Sequence, residues 1–143
     1  MKNLANHPTQ SFSQVTGVFT DIDDTLTTDG AITSDALEAL GKLKAAGLHV
    51  VAITGRPVGW SEPFAVSWPV DSIVAENGAV ALQSLPGQGL VKRYQQDEAT
   101  RQRNYARTQA VLAQIEREVP GTRRAPDSPG RETDIAIATS ALP

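Results

Sequence analysis

The sequence predicts an open α/β fold built on a parallel sheet. Short apolar, β-branched segments recur at residues 15–20, 48–53 and 72–75, an amphipathic segment joins the first two, and each apolar segment runs into a polar cluster. A nearly all-apolar run such as 48–53 suits a parallel strand covered on both faces. Ligands of such sheets bind beyond the carboxyl ends of the strands, which is where the polar clusters fall.

Each element has a local reason. Residues 1–14 are polar, carry a single Lys and lack an apolar run, so they read as a frayed, flexible start and not as a leader peptide. The strand 15–20 leads into Asp21, Asp23 and Asp24. Asp29-Gly30, between 26–28 and 31–32, is a hairpin signal and makes a small flap beside those carboxylates. Ser34 can cap a helix over 35–46 that carries Leu37, Leu40 and Leu43 on one side and ends at Gly47. Strand 48–53 ends in Thr54-Gly55-Arg56-Pro57. Residues 58–70 read as irregular, with a short helix over 62–67, and Trp60, Phe64 and Trp68 read as packing and not as a ligand box. Strand 72–75 ends in Glu76-Asn77-Gly78-Ala79. Residues 80–83 and 90–94 predict a hairpin around a Pro-Gly loop, and Asp97 caps a long helix to about residue 119 with Leu112, Ile115 and Val119 as its apolar stripe. A Pro-Gly break, a turn over 126–130 and an alternating strand over 133–138 complete the reading.

The 143 residues are a one-domain length, and 40% apolar against 20% charged residues is a globular composition. The net charge of −3 gives no basic excess for a nucleic-acid partner. Charge is nevertheless uneven: residues 1–80 hold nine acids against four bases, and residues 81–143 seven against nine. Zero cysteines exclude a disulfide framework, a thiolate zinc site and a cysteine nucleophile, and suit a cytoplasmic protein. No apolar stretch approaches membrane-spanning length, so no membrane partner is expected.

The chemistry concentrates at the strand ends. Asp21 and Asp23 stand two residues apart where the chain leaves the first strand. Carboxylates this close repel in a dry cleft, and a hard divalent cation relieves that repulsion; alternatively the pair divides labour as nucleophile and acid/base. An isolated Asp-x-Asp more often merely caps a turn. Thr54, Gly55 and Arg56 offer a hydroxyl, a backbone open to close approach and a cation, a set that suits phosphate. Asn77-Gly78 alone is a common tight turn, and Thr-Gly-Arg-Pro alone can be a simple strand-to-loop turn. His7 and His49 read as a tail residue and a strand-flanking surface residue. The arginines of the long helix read as a solvated face, with a role in holding an anionic substrate as the other reading.

Asp21-Ile22-Asp23-Asp24-Thr25-Leu26-Thr27, Ile53-Thr54-Gly55-Arg56-Pro57 and Glu76-Asn77-Gly78-Ala79 together make the chain resemble the haloacid dehalogenase (HAD) superfamily of hydrolases, in its type IIB or Cof-like sugar-phosphate phosphatase branch. The resemblance implies a HAD-like Rossmannoid core, with a partial parallel sheet over 15–81, and the beginning of an inserted α/β cap over 82–143. It implies a Mg²⁺-dependent phosphatase of small phosphorylated metabolites, sugar phosphates among them, working through an aspartyl-phosphate. Asp21 would be the nucleophile and Asp23 the acid and base, and both would hold Mg²⁺, Asp21 through its carboxylate and Asp23 through its backbone carbonyl. Thr54, Gly55, Arg56 and Asn77 would bind substrate, and Thr25 would support the loop.

The family pattern also has a third-motif Lys and an acidic fourth motif. After Arg56 this sequence has only Lys92, and Asp97, Asp127 and Asp134 stand in no such motif. The chain therefore reads as an amino-terminal portion of a longer phosphatase, its first strand at an unprotected sheet edge. A non-catalytic fragment or binding module that keeps the acidic loop is the alternative. A phospho-receiver domain fits less well, because Glu76-Asn77 stands where its phosphoacceptor would be. A nucleotide-binding P-loop is disfavoured because its Gly-x-x-x-x-Gly-Lys-Ser/Thr signature is missing.

Overall fold

The short apolar, β-branched segments form three strands, β1 (Gly17–Asp21), β4 (His49–Ile53) and β5 (Ser72–Ala75), in a computed structural model that describes residues 12–138. β1 pairs with β4 in parallel, from Gly17 opposite His49 to Asp21 opposite Ile53, and β4 pairs in parallel with β5. All three carboxyl ends thus face one way. The expected flap is the two-stranded hairpin β2 (Thr27–Thr28) and β3 (Ala31–Ile32), turned by Asp29 and Gly30, both at positive φ as a two-residue hairpin of this kind requires.

The expected start over 1–14, with His7, lies outside the described residues as far as residue 11. Phe12 to Val15 form a turn closed by the Val15 N–H on the Phe12 carbonyl at 3.0 Å. The strand expected from residue 15 therefore begins at Gly17.

Helix α1 (Ser34–Ala45) is capped by Thr33, whose hydroxyl accepts from the Ala36 N–H, so the cap sits one residue earlier than Ser34. Leu40 is buried and Leu43 packs on the core, but Leu37 remains 39% exposed, because three-residue steps drift off the face of a 3.6-residue helix. Helix α2 (Val58–Ser67) is longer than the expected 62–67. Its Pro63 costs one backbone donor, yet Val58, Ser61 and Ala65 are buried and Trp60, Phe64 and Trp68 stack at the i, i+4, i+8 spacing. Their ring centroids lie 4.7 Å apart in both pairs, so the trio packs the sheet as expected.

Beyond β5 the chain does not leave the sheet. β6 (Val80–Leu85) runs antiparallel to β5, β7 (Gly89–Tyr94) runs antiparallel to β6, and the five strands stand in the order β1-β4-β5-β6-β7. The hairpin expected to open a cap therefore extends the core sheet, because Val80 and Leu82 are fully buried and bring their strand into the core layer. A boundary at residues 81/82 falls inside β6. β1 lies at the sheet edge, with Phe19 74% exposed.

Helix α3 (Glu98–Glu118) is capped by Asp97 as expected, its carboxylate accepting from the Thr100 N–H at 2.9 Å. Of its predicted stripe only Leu112 is fully buried; Val119 is exposed. The predicted strand 133–138 does not form; only an isolated bridge joins Arg124 and Ile137. A long-range contact stands in its place, with the N–H groups of Glu132 and Thr133 spent on the Glu76 side chain.

Two ion-pair clusters make the fold acid-sensitive. Burial opposes the charge of Glu132, but hydrogen bonds from Lys92 at 2.6 Å and Tyr94 at 2.5 Å outweigh it and hold its carboxyl below the ordinary 4.5. Burial likewise opposes the Asp71 charge, and Lys44 with the Val50 N–H holds that carboxyl below the ordinary 3.8. A carboxylate depressed in the folded state contributes stability above its unfolded pKa and loses it as pH falls through the folded one. Urea midpoints are therefore expected to hold from pH 7 to pH 5 and to fall below about pH 4, with each partly exposed cluster contributing about 1 kcal/mol. Glu132→Gln removes part of that decline; an unchanged acid limb rules this cluster out as its source.

Candidate active site

The chain leaves β1 in a tight loop wound around one carbonyl. The Ile22 oxygen accepts from the N–H groups of Thr25, Leu26 and Thr27 at 2.9–3.3 Å and from the Thr27 hydroxyl at 3.1 Å. Asp24 takes a positive φ of 56° within the loop, a conformation Asp tolerates better than most residues, and its N–H donates to the Thr27 hydroxyl. Ile22, Leu26 and Thr27 are buried, so apolar side chains anchor the loop from beneath while Asp21, Asp24 and Thr25 remain exposed.

The carboxylates face different partners. Asp21, the last residue of β1, accepts one long hydrogen bond from the Thr25 hydroxyl at 3.4 Å and is otherwise open to solvent. Asp23 points across to the end of β4. The Arg56 guanidinium grips it through Nε at 3.0 Å and Nη2 at 2.8 Å, and the buried Thr54 hydroxyl donates to it at 3.4 Å. The hydrogen bond to Asp23 raises the Arg56 pKa above its ordinary value. Arg56 also lies over the Trp60 ring at 5.3 Å, which steadies its planar fork. The counter-charge for Asp23 is thus supplied within the chain.

Gly55 and Asn77 meet on the next strand end. A Cβ at Gly55 would lie 3.0 Å from the Asn77 Oδ1, so a side chain there would make the Asn77 amide give way by a few tenths of an ångström. Asn77 adopts φ +55° and follows Glu76 at φ +48°; its N–H bonds the Thr54 carbonyl, and its side-chain amide donates to Asp134 at 3.4 Å. The structure therefore joins Asp21 to Thr25, Asp23 to Thr54 and Arg56, and Gly55 to Asn77. No direct hydrogen bond links Asp21 to Asn77 or to Thr54.

Sequence reasoning missed the residues that hold this frame. Glu76, 3% exposed, accepts from the N–H groups of Val58, Glu132 and Thr133 and from the Thr133 hydroxyl. Arg131 donates to the Gly55 carbonyl at 3.2 Å and to Asp134 at 2.7 Å. An acidic residue directly after an apolar strand was the available signal for Glu76; nothing local marks Arg131.

The oxygens at the end of β1 suit a hard cation. The Asp21 carboxylate is largely free, and the Asp23 carbonyl accepts no hydrogen bond among the described residues. Two such donors match Mg²⁺, which keeps several waters and takes one or two carboxylates plus phosphate oxygens. Among the described residues no group of three or more His, Asp or Glu side chains is gathered for a metal, and the Asp23 carboxylate is occupied by Arg56.

Carboxylate, hydroxyl and guanidinium groups thus stand together beyond the carboxyl ends of the parallel strands β1 and β4. The chain belongs to the haloacid dehalogenase-like hydrolase family, whose profile matches residues 18–118. A Streptococcus pyogenes serotype M6 protein, M6_Spy0533, provisionally named a phosphatase, is 35% identical over 80 residues, 52% of this chain and 30% of that protein. The fold is shared with Thermoplasma acidophilum 0175, at a TM-score of 0.66 and 18% identity, over 88% of this chain and 52% of that one. It is also shared with BT1666 of Bacteroides thetaiotaomicron, described among phosphatases of the HAD superfamily, at 0.51 and 20% over 78% and 40%. The chain thus spans about a third of the length of the curated relative and about half or less of these two structures. No helix among the described residues is long and apolar enough to cross a membrane.

Proposed function

We propose that this chain carries the phosphoryl-transfer site of a divalent-metal-dependent phosphatase acting on small phosphorylated metabolites, sugar phosphates included. One observation carries the reading: an open Asp21 carboxylate stands at the end of β1 while Asp23, two residues on, is clamped by groups from the end of the adjacent parallel strand. The unequal surroundings give the two carboxylates different work. The provisional phosphatase name of the streptococcal relative agrees with it.

An Asp21 carboxylate oxygen attacks phosphorus, the bond from phosphorus to the substrate oxygen breaks, and an aspartyl-phosphate forms on Asp21. Asp23 delivers a proton to the departing oxygen, then takes one from the water that attacks phosphorus and releases Asp21. Thr54, the Gly55 backbone and Arg56 hold the phosphoryl oxygens, with Asn77 beside them. Arg56 grips Asp23 in the resting arrangement, and an incoming phosphate offers that guanidinium a competing anion, freeing Asp23 to exchange a proton. The Asp21 carboxylate and the Asp23 carbonyl would hold Mg²⁺, which when bound neutralises charge on the phosphoryl group.

Turnover of p-nitrophenyl phosphate by the full-length polypeptide tests the reading. Chelation is expected to lower the rate by about a hundredfold or more, with Mg²⁺ restoring it. Undiminished turnover in chelator would remove the metal from the reading, and no turnover with Mg²⁺ would favour the non-catalytic module.

A further inference from the structure

A cavity of about 190 Å³ lies between the start of α3 and the segment over 131–134, lined in part by Gln95, Gln96, Arg101, Asn104, Thr133 and Asp134. Arg101, in the first turn of α3, lies over the Tyr94 ring with Cζ 3.6 Å from the ring centroid. Stacking of this kind fixes the plane of the guanidinium and leaves its edge to choose a partner. That edge lacks one: the buried Nε has no hydrogen-bond partner. Guanidinium edges match planar oxyanions bidentately, and an orphaned buried donor calls for an acceptor.

The carboxylates nearby are already engaged. Glu132 is held by Lys92 and Tyr94, and Glu76 by its four donors. Asp134, which faces the cavity, is bound by Arg131 at 2.7 Å and by the Asn77 amide at 3.4 Å. Within the wall, Asn104 donates to the Gln96 carbonyl oxygen at 3.0 Å, which leaves the Gln96 amide N–H groups uncommitted to that contact. The Asp134 to Asn77 link, and the approach of Asn77 to Gly55, make the cavity a neighbour of the strand-end cluster.

We infer that this cavity is a second oxyanion subsite, in which Arg101 receives a carboxylate or second phosphoryl group at the far end of a phosphorylated metabolite. The amide groups of Gln95 and Gln96 donate beside it. The inference rests on the phosphatase reading and narrows its substrates to those with an anionic group at both ends.

Calorimetric titration of the full-length polypeptide carrying Asp21→Asn, so that no ligand turns over, tests it with three probes. These are 3-phosphoglycerate, 1,3-propanediol bisphosphate and glycerol 3-phosphate, whose far ends are a carboxylate, a phosphate and hydroxyls. At least one dianionic-ended probe is expected to bind about tenfold tighter than glycerol 3-phosphate, and which one does so identifies the oxyanion. Adding Arg101→Gln brings the ratio to about one, and Arg101→Lys, which keeps the charge without the fork, also lowers it. Equal affinities for all three probes, or a ratio unmoved by either substitution, overturns the subsite. Turnover of p-nitrophenyl phosphate without such a ratio leaves the phosphatase reading intact and discards the subsite. A ratio without turnover does the reverse.

Discussion

Asp21→Asn is expected to lower kcat for phosphoester hydrolysis by about a thousandfold or more, because it removes the attacking oxygen charge itself. The size of the loss separates this residue from its neighbours. A group that only positions substrate raises KM or trims kcat, whereas loss of the atom that forms the covalent bond removes the pathway. The same substitution is expected to leave stability within about 0.5 kcal/mol, because Asp21 is exposed and takes part in only one long side-chain hydrogen bond. Lost turnover with an unchanged melting profile is the signature of a nucleophile. Steady-state kinetics beside a thermal melt reads both, and a variant that keeps a tenth or more of the rate would assign the attack elsewhere. Acid quenching during turnover adds a direct check: acid-stable, hydroxylamine-labile phosphate on the parent and none on the variant.

The strand ends were legible because period and punctuation agree there. A buried apolar run followed by charge is readable without neighbours, and β1, β4 and β5 form with Asp21, Thr54 and Glu76 at or just beyond their ends. Asp29-Gly30 and Asp97 were legible for the same reason, since a turn or a cap is fixed by residues within a few positions. Elements decided at long range were not. Helix α2 reads from the sequence as only a short segment over 62–67, whereas burial of Val58 and Ala65 and the aromatic stack over it decide its full length. Residues 133–138 alternate as a strand should, but the donors of Glu132 and Thr133 are taken by a side chain 56 and 57 positions away. The hairpin β6–β7 was visible as a hairpin; its membership in the core sheet depends on pairing with β5, which no periodicity encodes. Within the site, position at the strand ends pointed to Asp21 with Asp23 and to Thr54, Gly55 and Arg56 as two sets, but the division between an open Asp21 and a gripped Asp23 is a matter of side-chain direction.

Glu76→Ala is expected to cost about 3–5 kcal/mol, a large part of the about 5–15 kcal/mol that holds a domain together. The carboxylate is almost fully buried and accepts from Val58 N–H at 3.1 Å, Glu132 N–H at 2.9 Å, Thr133 N–H at 2.7 Å and the Thr133 hydroxyl at 2.5 Å. Truncation leaves these donors without their acceptor at one point, and each orphan costs about 1–3 kcal/mol before relaxation and entering water recover part of it. Glu76→Gln is expected to fall between, since its amide nitrogen would meet donors where one carboxylate oxygen now accepts. Urea unfolding reads the global term. Limited trypsin digestion reads the local one, with cleavage at Arg131 faster in the variant because the released 132–133 segment no longer shields a side chain that is 8% exposed in the parent. A loss below about 1 kcal/mol with unchanged cleavage would mean the segment is held by Arg131 and Lys92 instead. The expected large loss makes Glu76 the post on which both edges of the site hang: α2 starts at it, and Asp134, the partner of Asn77, follows one residue after its last contact.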